Sequence, residues 1–179
     1  TEVAESNSDI DGALWECTYS QLSYLYNQQF NYSSALDAAI KGLDIAEKFN
    51  TSNERTYINT STAYFESGDT TNATTLCNKA INNILGNGIS KSNADIVSKA
   101  MYHYTITNQY LHAGLCYELL KSLPKNELPR NYIPNVAVYL ERFVSADSAA
   151  ITMSELYETT NRIESKYDAA RWLTRYHVA

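Results

Sequence analysis

The chain has few of the features that break, staple or catalyse. Its 179 residues contain 3 prolines and 6 glycines. Both residues interrupt helices, so their scarcity over such a length favours a helical protein. The three cysteines, Cys17, Cys77 and Cys116, are odd in number, far apart and form no CxxC pair. A disulfide framework and a thiol-based metal site are therefore not expected, and the three read as small buried hydrophobes. Charged residues make up 19% of the chain, with a net charge of -6 and no Lys/Arg run. That excludes a charged disordered tail and the basic footprint of a nucleic-acid binder. No apolar run is long enough to span a bilayer, so no membrane contact is expected within this segment.

Signature loops are lacking too. No GxGxxG, GxxxxGKS or GxSxG motif occurs, and Gly86-Asn87-Gly88 is too short to cradle a phosphate. His103 and His112 are nine residues apart, whereas two ligands on one helix face need a spacing of three or four. With His177 they read as surface or half-buried side chains. No catalytic residue, metal ligand or cofactor is assigned, and the expectation is a binding protein and not an enzyme.

What is present is a repeat. Four segments end in an alanine after a short polar or mixed stretch: Asn31-Tyr32-Ser33-Ser34-Ala35, Asp69-Thr70-Thr71-Asn72-Ala73, Gln109-Tyr110-Leu111-His112-Ala113 and Ala146-Asp147-Ser148-Ala149. Nine residues before each alanine stands a large side chain: Tyr26, Tyr64, Tyr104 and Leu140. The alanines lie 38, 40 and 36 residues apart. Periods of this size mark stacked supersecondary units.

Each unit reads as two helices. The first carries Tyr19-x2-Leu22-Ser23-x2-Tyr26, and its counterparts are Tyr57-x2-Thr60-Ser61-x2-Tyr64, Val97-x2-Ala100-Met101-x2-Tyr104 and Ile133-x2-Val136-Ala137-x2-Leu140. The second carries Ala35-x3-Ala39, Ala73-x3-Cys77, Ala113-x3-Tyr117 and Ala149-x3-Met153. Small residues let the two helices approach, and large ones fill the gaps between them. A polar segment over 1–11 reads as loop. Units then span about 12–49, 54–85, 93–123 and 131–163, and 166–179 repeats a first-helix register as Ala170-x2-Leu173-Thr174-x2-His177. Ser33 or Ser34 is expected to cap the second helix and Ser92-Asn93 the fifth. The stretch from Pro124 to Pro134 holds all three prolines and reads as loop, with a helix opening at Pro134. The leftover helix suggests a boundary within a longer protein.

This pattern resembles the tetratricopeptide repeat family over nearly the whole chain. The intervals exceed the family's usual period, and its terminal proline is missing from the first two units. That longer style looks like the repeats in sensor regions of bacterial membrane-anchored regulators. The resemblance implies an all-α, right-handed superhelical solenoid of antiparallel helix pairs that binds a protein or peptide. It also implies a groove lined by first helices: Tyr24, Asn27 and Gln28; then Arg55, Ile58, Thr62, Phe65 and Glu66; then Asp95, Ser98, Tyr102 and Ile106; then Glu141 and Arg142; and last Arg171 and Arg175. The family's clamp for C-terminal carboxylates is not implied, because Ser20 and Tyr24 stand where it needs lysine and asparagine. The alternatives are a structural spacer or self-association domain, and after it a small-molecule pocket. Nothing in the sequence fixes an oligomeric state.

Overall fold

The computed structural model describes the backbone of residues 2–51 and 53–178, and the side chains of residues 12, 14–51 and 53–176. Among these residues all regular structure is helical. The helices are α1 (Glu2–Gln28), α2 (Tyr32–Lys48), α3 (Glu54–Glu66), α4 (Thr70–Asn87), α5 (Ala94–Ile106), α6 (Tyr110–Lys121), α7 (Tyr132–Phe143), α8 (Ala146–Thr159) and α9 (Ile163–Val178), with a 3-10 turn at Lys125–Glu127. The chain forms two compact units, Thr1–Asn87 and Gly88–Ala179. In the first, α1 packs on α2 and α3 on α4, while α3 also touches α1 and α2. In the second, α5 packs on α6, α7 on α8 and α8 on α9, and α7 touches both α5 and α9.

The signature residues lie in the core of these pairs. Ser23, Ser61, Met101 and Ala137 are all buried, as are Ala35, Ala73, Ala113 and Ala149. In α3–α4 the two kinds meet: Ser61 Oγ donates to the carbonyl of Ala73 at 2.8 Å and lies 3.0 Å from Cys77 Sγ. In α1–α2 the seam is made of small residues. A Cβ on Gly42 would lie 3.2 Å from the Tyr19 Cβ, so the helices approach there as closely as glycine allows.

The repeat is also written in the backbone. Phe30, Gly68 and Asn108 are left-handed, with φ of 58°, 90° and 61°. Each stands five residues before its alanine. The next N–H closes onto the carbonyl of the preceding tyrosine: Asn31 to Tyr26 at 2.9 Å, Asp69 to Tyr64 at 2.9 Å and Gln109 to Tyr104 at 2.8 Å. This is the left-handed helix C-cap. The fourth unit departs from it. Val144 is β-branched and keeps φ at -115°, and its N–H bonds Leu140 instead.

Polar ties join the first helices of neighbouring hairpins within each unit. Glu16 of α1 accepts from Thr56 of α3 at 3.2 Å. Asn135 Nδ2 of α7 donates to the carbonyl and hydroxyl of Ser98 on α5 at 3.0 and 3.1 Å. Many tyrosines lie in seams: Tyr117 and Tyr139 face each other across α6–α7 with centroids 5.0 Å apart, and Tyr110 and Phe143 do so at 5.5 Å.

Several local expectations need correction. Residues 2–11 are helical, because the stretch holds no proline, α1 runs on through Gly12, and adding residues to an existing helix is cheap. Asn31, not Ser33 or Ser34, caps α2, accepting from the Ser34 N–H at 3.2 Å. Asn93 does not cap α5 with its side chain; it turns back to the preceding loop, bonding Ser90 N–H and the Gly88 carbonyl. The last helix of the fourth pair stops at Thr159, because Thr160 is extended and Arg162 is held by long-range bonds described below. Helix α7 opens at Tyr132, which places Pro134 in its first turn. On α9, Ser165 and Ala169 are buried, while Thr174 is exposed.

Candidate functional site

The residues that the family resemblance would set on a groove fall into two surfaces, one per unit. In the first unit the Glu16–Thr56 bond fixes the level of α1 against α3. Tyr24 and Tyr64 are each eight residues, about 12 Å, further along their helices. The two helices run the same way, since α2 reverses the chain between them. Tyr24, Asn27 and Gln28 therefore share one end with Thr62, Phe65 and Glu66. Arg55 lies ten residues, about 15 Å, below Phe65 and stands at the other end.

Their exposure differs in a useful way. Tyr24 is 59% exposed, Gln28, Arg55 and Glu66 are exposed, and Asn27, Thr62 and Phe65 are half-buried. Thr62 spends its hydroxyl on the Ile58 carbonyl at 2.8 Å. Asn27 Oδ1 is buried with no hydrogen-bond partner. An unsatisfied buried acceptor is costly.

In the second unit Tyr102 is half-buried on α5 and Arg142 exposed on α7. Arg142 Nε donates to Asn108 Oδ1 at 2.9 Å, which pins it beside the α5–α6 turn. Arg171 and Arg175 are exposed one turn apart on α9. Asp95 and Ile106 are half-buried, and Glu141 is exposed. Two groove assignments fail. Ile58 and Ser98 are fully buried; Ile58 fills the first unit's core and Ser98 carries the α5–α7 tie. Ser98 is held in the α5–α7 contact, and Ile58 lies on a helix packed by α1, α2 and α4.

The chemistry-bearing side chains are sequestered or isolated. Among the described residues no three His, Cys, Asp or Glu side chains are placed to hold a metal ion. His103 is buried on α5, against the expectation of a surface or half-buried ring, and burial with the nearby Lys99 charge lowers its pKa to about 4. It is neutral near pH 7. Cys77 and Cys116 are buried as expected, but Cys17 is exposed. Burial raises the Cys77 thiol to about 11, so it stays protonated beside Ser61. His112 is exposed, its ring 5.1 Å from that of Tyr104, and the His177 side chain lies outside the described residues. Among the described residues no helix is long and apolar enough to cross a membrane.

A cavity of about 330 Å³ lies elsewhere in the second unit. It sits among the loop before α7, the start of α7, the end of α8 and the start of α9. Arg162 anchors it, donating from Nη1 to the Leu128 carbonyl at 2.8 Å and from Nη2 to that of Asn126 at 3.2 Å. Sequence reasoning passed over this place, because a proline-rich stretch read only as loop. The clustering of all three prolines was the available signal, since they stiffen a loop into a wall.

The units also differ in charge. The first has 4 basic and 11 acidic residues, and the second has 10 and 9. Comparison of the chain with protein-family models, with curated proteins and with solved structures finds no match to any of them.

Proposed function

We propose that the chain is a tetratricopeptide-type, right-handed solenoid segment that binds a protein or peptide, serving as the interaction or sensing region of a larger regulator. The observation that carries this reading is the paired burial of small signature residues. Ser61 bonded to Ala73 is the clearest case, and Ser23 with Ala35 and Ala137 with Ala149 follow it. Hairpins closed in this way leave part of their first helices uncovered. In the first unit that surface offers an exposed aromatic ring, a half-buried one and amides, Tyr24, Phe65, Asn27 and Gln28. Aromatic anchors beside amides suit an extended peptide, the rings taking side chains and the amides its backbone.

Selection of peptides from a random display library on the intact protein, followed by calorimetry, tests the reading. The expected result is saturable binding weakened about tenfold or more in a Tyr24→Ala, Phe65→Ala variant that melts like the wild type. Equal affinity for wild type and variant would remove these rings from the site.

Self-association is the second reading. It is favoured by Leu14, Trp15 and Leu25, which are all exposed on α1. Sedimentation separates the two readings, because a peptide binder of this kind remains monomeric as its concentration rises.

A further inference from the structure

We propose that the cavity beneath the proline-bounded loop of the second unit binds a small molecule that carries one carboxylate on a compact apolar body. This goes beyond the peptide surface and uses none of its residues. The cavity volume of about 330 Å³ falls at the small end of ligand pockets, roughly 300–1,000 Å³. That size suits a single small acid and excludes a nucleotide or a folded segment.

The lining sets the charge. Among the described residues the ionised groups lining it are Lys125 and Arg162, both cations, with no carboxylate among them. Of the nearby acids, Glu164 pairs with Arg130 at 3.7 Å, and Glu127, Glu155 and Glu158 lie outside the lining. Two cations around a partly enclosed space favour an anion there.

The two cations are not equivalent. Arg162 is committed to the carbonyls of Leu128 and Asn126, so its guanidinium is a fixed positive charge that braces the wall. Lys125 has one recorded hydrogen bond, to Thr159 Oγ1 at 3.3 Å. An ammonium has three donors, so Lys125 keeps two with which to meet a carboxylate. Leu128, Ile133 and Leu156 also line the space and offer apolar surface to the rest of the ligand.

The site is preformed. Pro124 and Pro129 stiffen the loop, and the turns are closed by Glu127 N–H to the Pro124 carbonyl at 2.8 Å and Tyr132 N–H to that of Pro129 at 3.1 Å. Tyr132 is itself buried. Little ordering is left to be done on binding, which favours affinity for a small ligand.

The test is titration of the whole protein with 3-phenylpropionate, followed by backbone amide shifts in NMR, with 3-phenylpropanamide and acetate as controls. Saturable shifts confined to residues 125–133 and 156–165 are expected for the acid. The amide should bind about tenfold more weakly, because it lacks the charge, and acetate should bind weakly because it lacks the apolar body. Lys125→Arg should retain binding and Lys125→Glu should lose it, both with the wild-type melting temperature. Shifts scattered over the surface, equal binding of acid and amide, or wild-type affinity in Lys125→Glu would each overturn the proposal.

Discussion

Ser61 Oγ donates to the main-chain carbonyl of Ala73 across 2.8 Å, deep in the contact between α3 and α4. These are the two residues by which the repeat was recognised, and here they touch. The carbonyl is also a helix acceptor, so losing the hydroxyl alone is tolerable. Ser61→Ala is expected to cost about 1 kcal/mol. Ser61→Leu, which drives bulk into the same gap, is expected to cost about 3 kcal/mol. Urea midpoints at an unchanged m-value check both.

The left-handed turns predict a gain in stability. Phe30 holds φ at 58° with its ring 78% exposed, a conformation that L side chains resist. Phe30→Gly should therefore raise stability by up to about 1 kcal/mol. At the matching place in the fourth unit Val144 has φ of -115°, so Val144→Gly should lower stability by about 1 kcal/mol. Opposite signs at equivalent positions are the outcome to look for in thermal melts.

These turns show what was legible in the sequence. The helix pairs, their order and the spacing of the alanines follow from periodicity and helix-stop chemistry, which are local. What escaped depends on contacts between distant residues. The end of α8 and the start of α9 are set by Arg162 reaching carbonyls 34 and 36 residues away. Ile58 and Ser98 occupy positions that the family resemblance sends to a groove, but the helices packed around α3 and α5 bury them. His103 gave no sign of burial, because a histidine on a mixed helix carries no marker of which face turns inward.

That buried histidine makes stability depend on pH. In the unfolded chain His103 has its ordinary value of 6.5, and in the folded chain it falls to about 4. Between these values the unfolded state binds the extra proton, so stability rises with pH. The contribution is complete above about pH 6.5 and is lost as pH falls toward 4, on the order of 3 kcal/mol in all. Comparison of urea midpoints at pH 7 and pH 5 should show a fall in the wild type that is much smaller in His103→Gln.

The thiols should separate by burial. Cys17 is exposed on α1, whereas Cys77 and Cys116 are buried. A thiol reagent should modify one of the three cysteines quickly in the native protein and the other two only on unfolding. Fast reaction of Cys77 would contradict its position against Ser61 in the α3–α4 contact.

The peptide-binding reading stands or falls on where a partner touches. The most direct measurement is NMR mapping of a library-selected peptide on the intact protein. Shifts are expected in the first unit, concentrated at residues 24–28 and 62–66, where the ends of α1 and α3 lie level. Shifts confined to α2 and α4, with residues 24–28 and 62–66 unmoved, would contradict it.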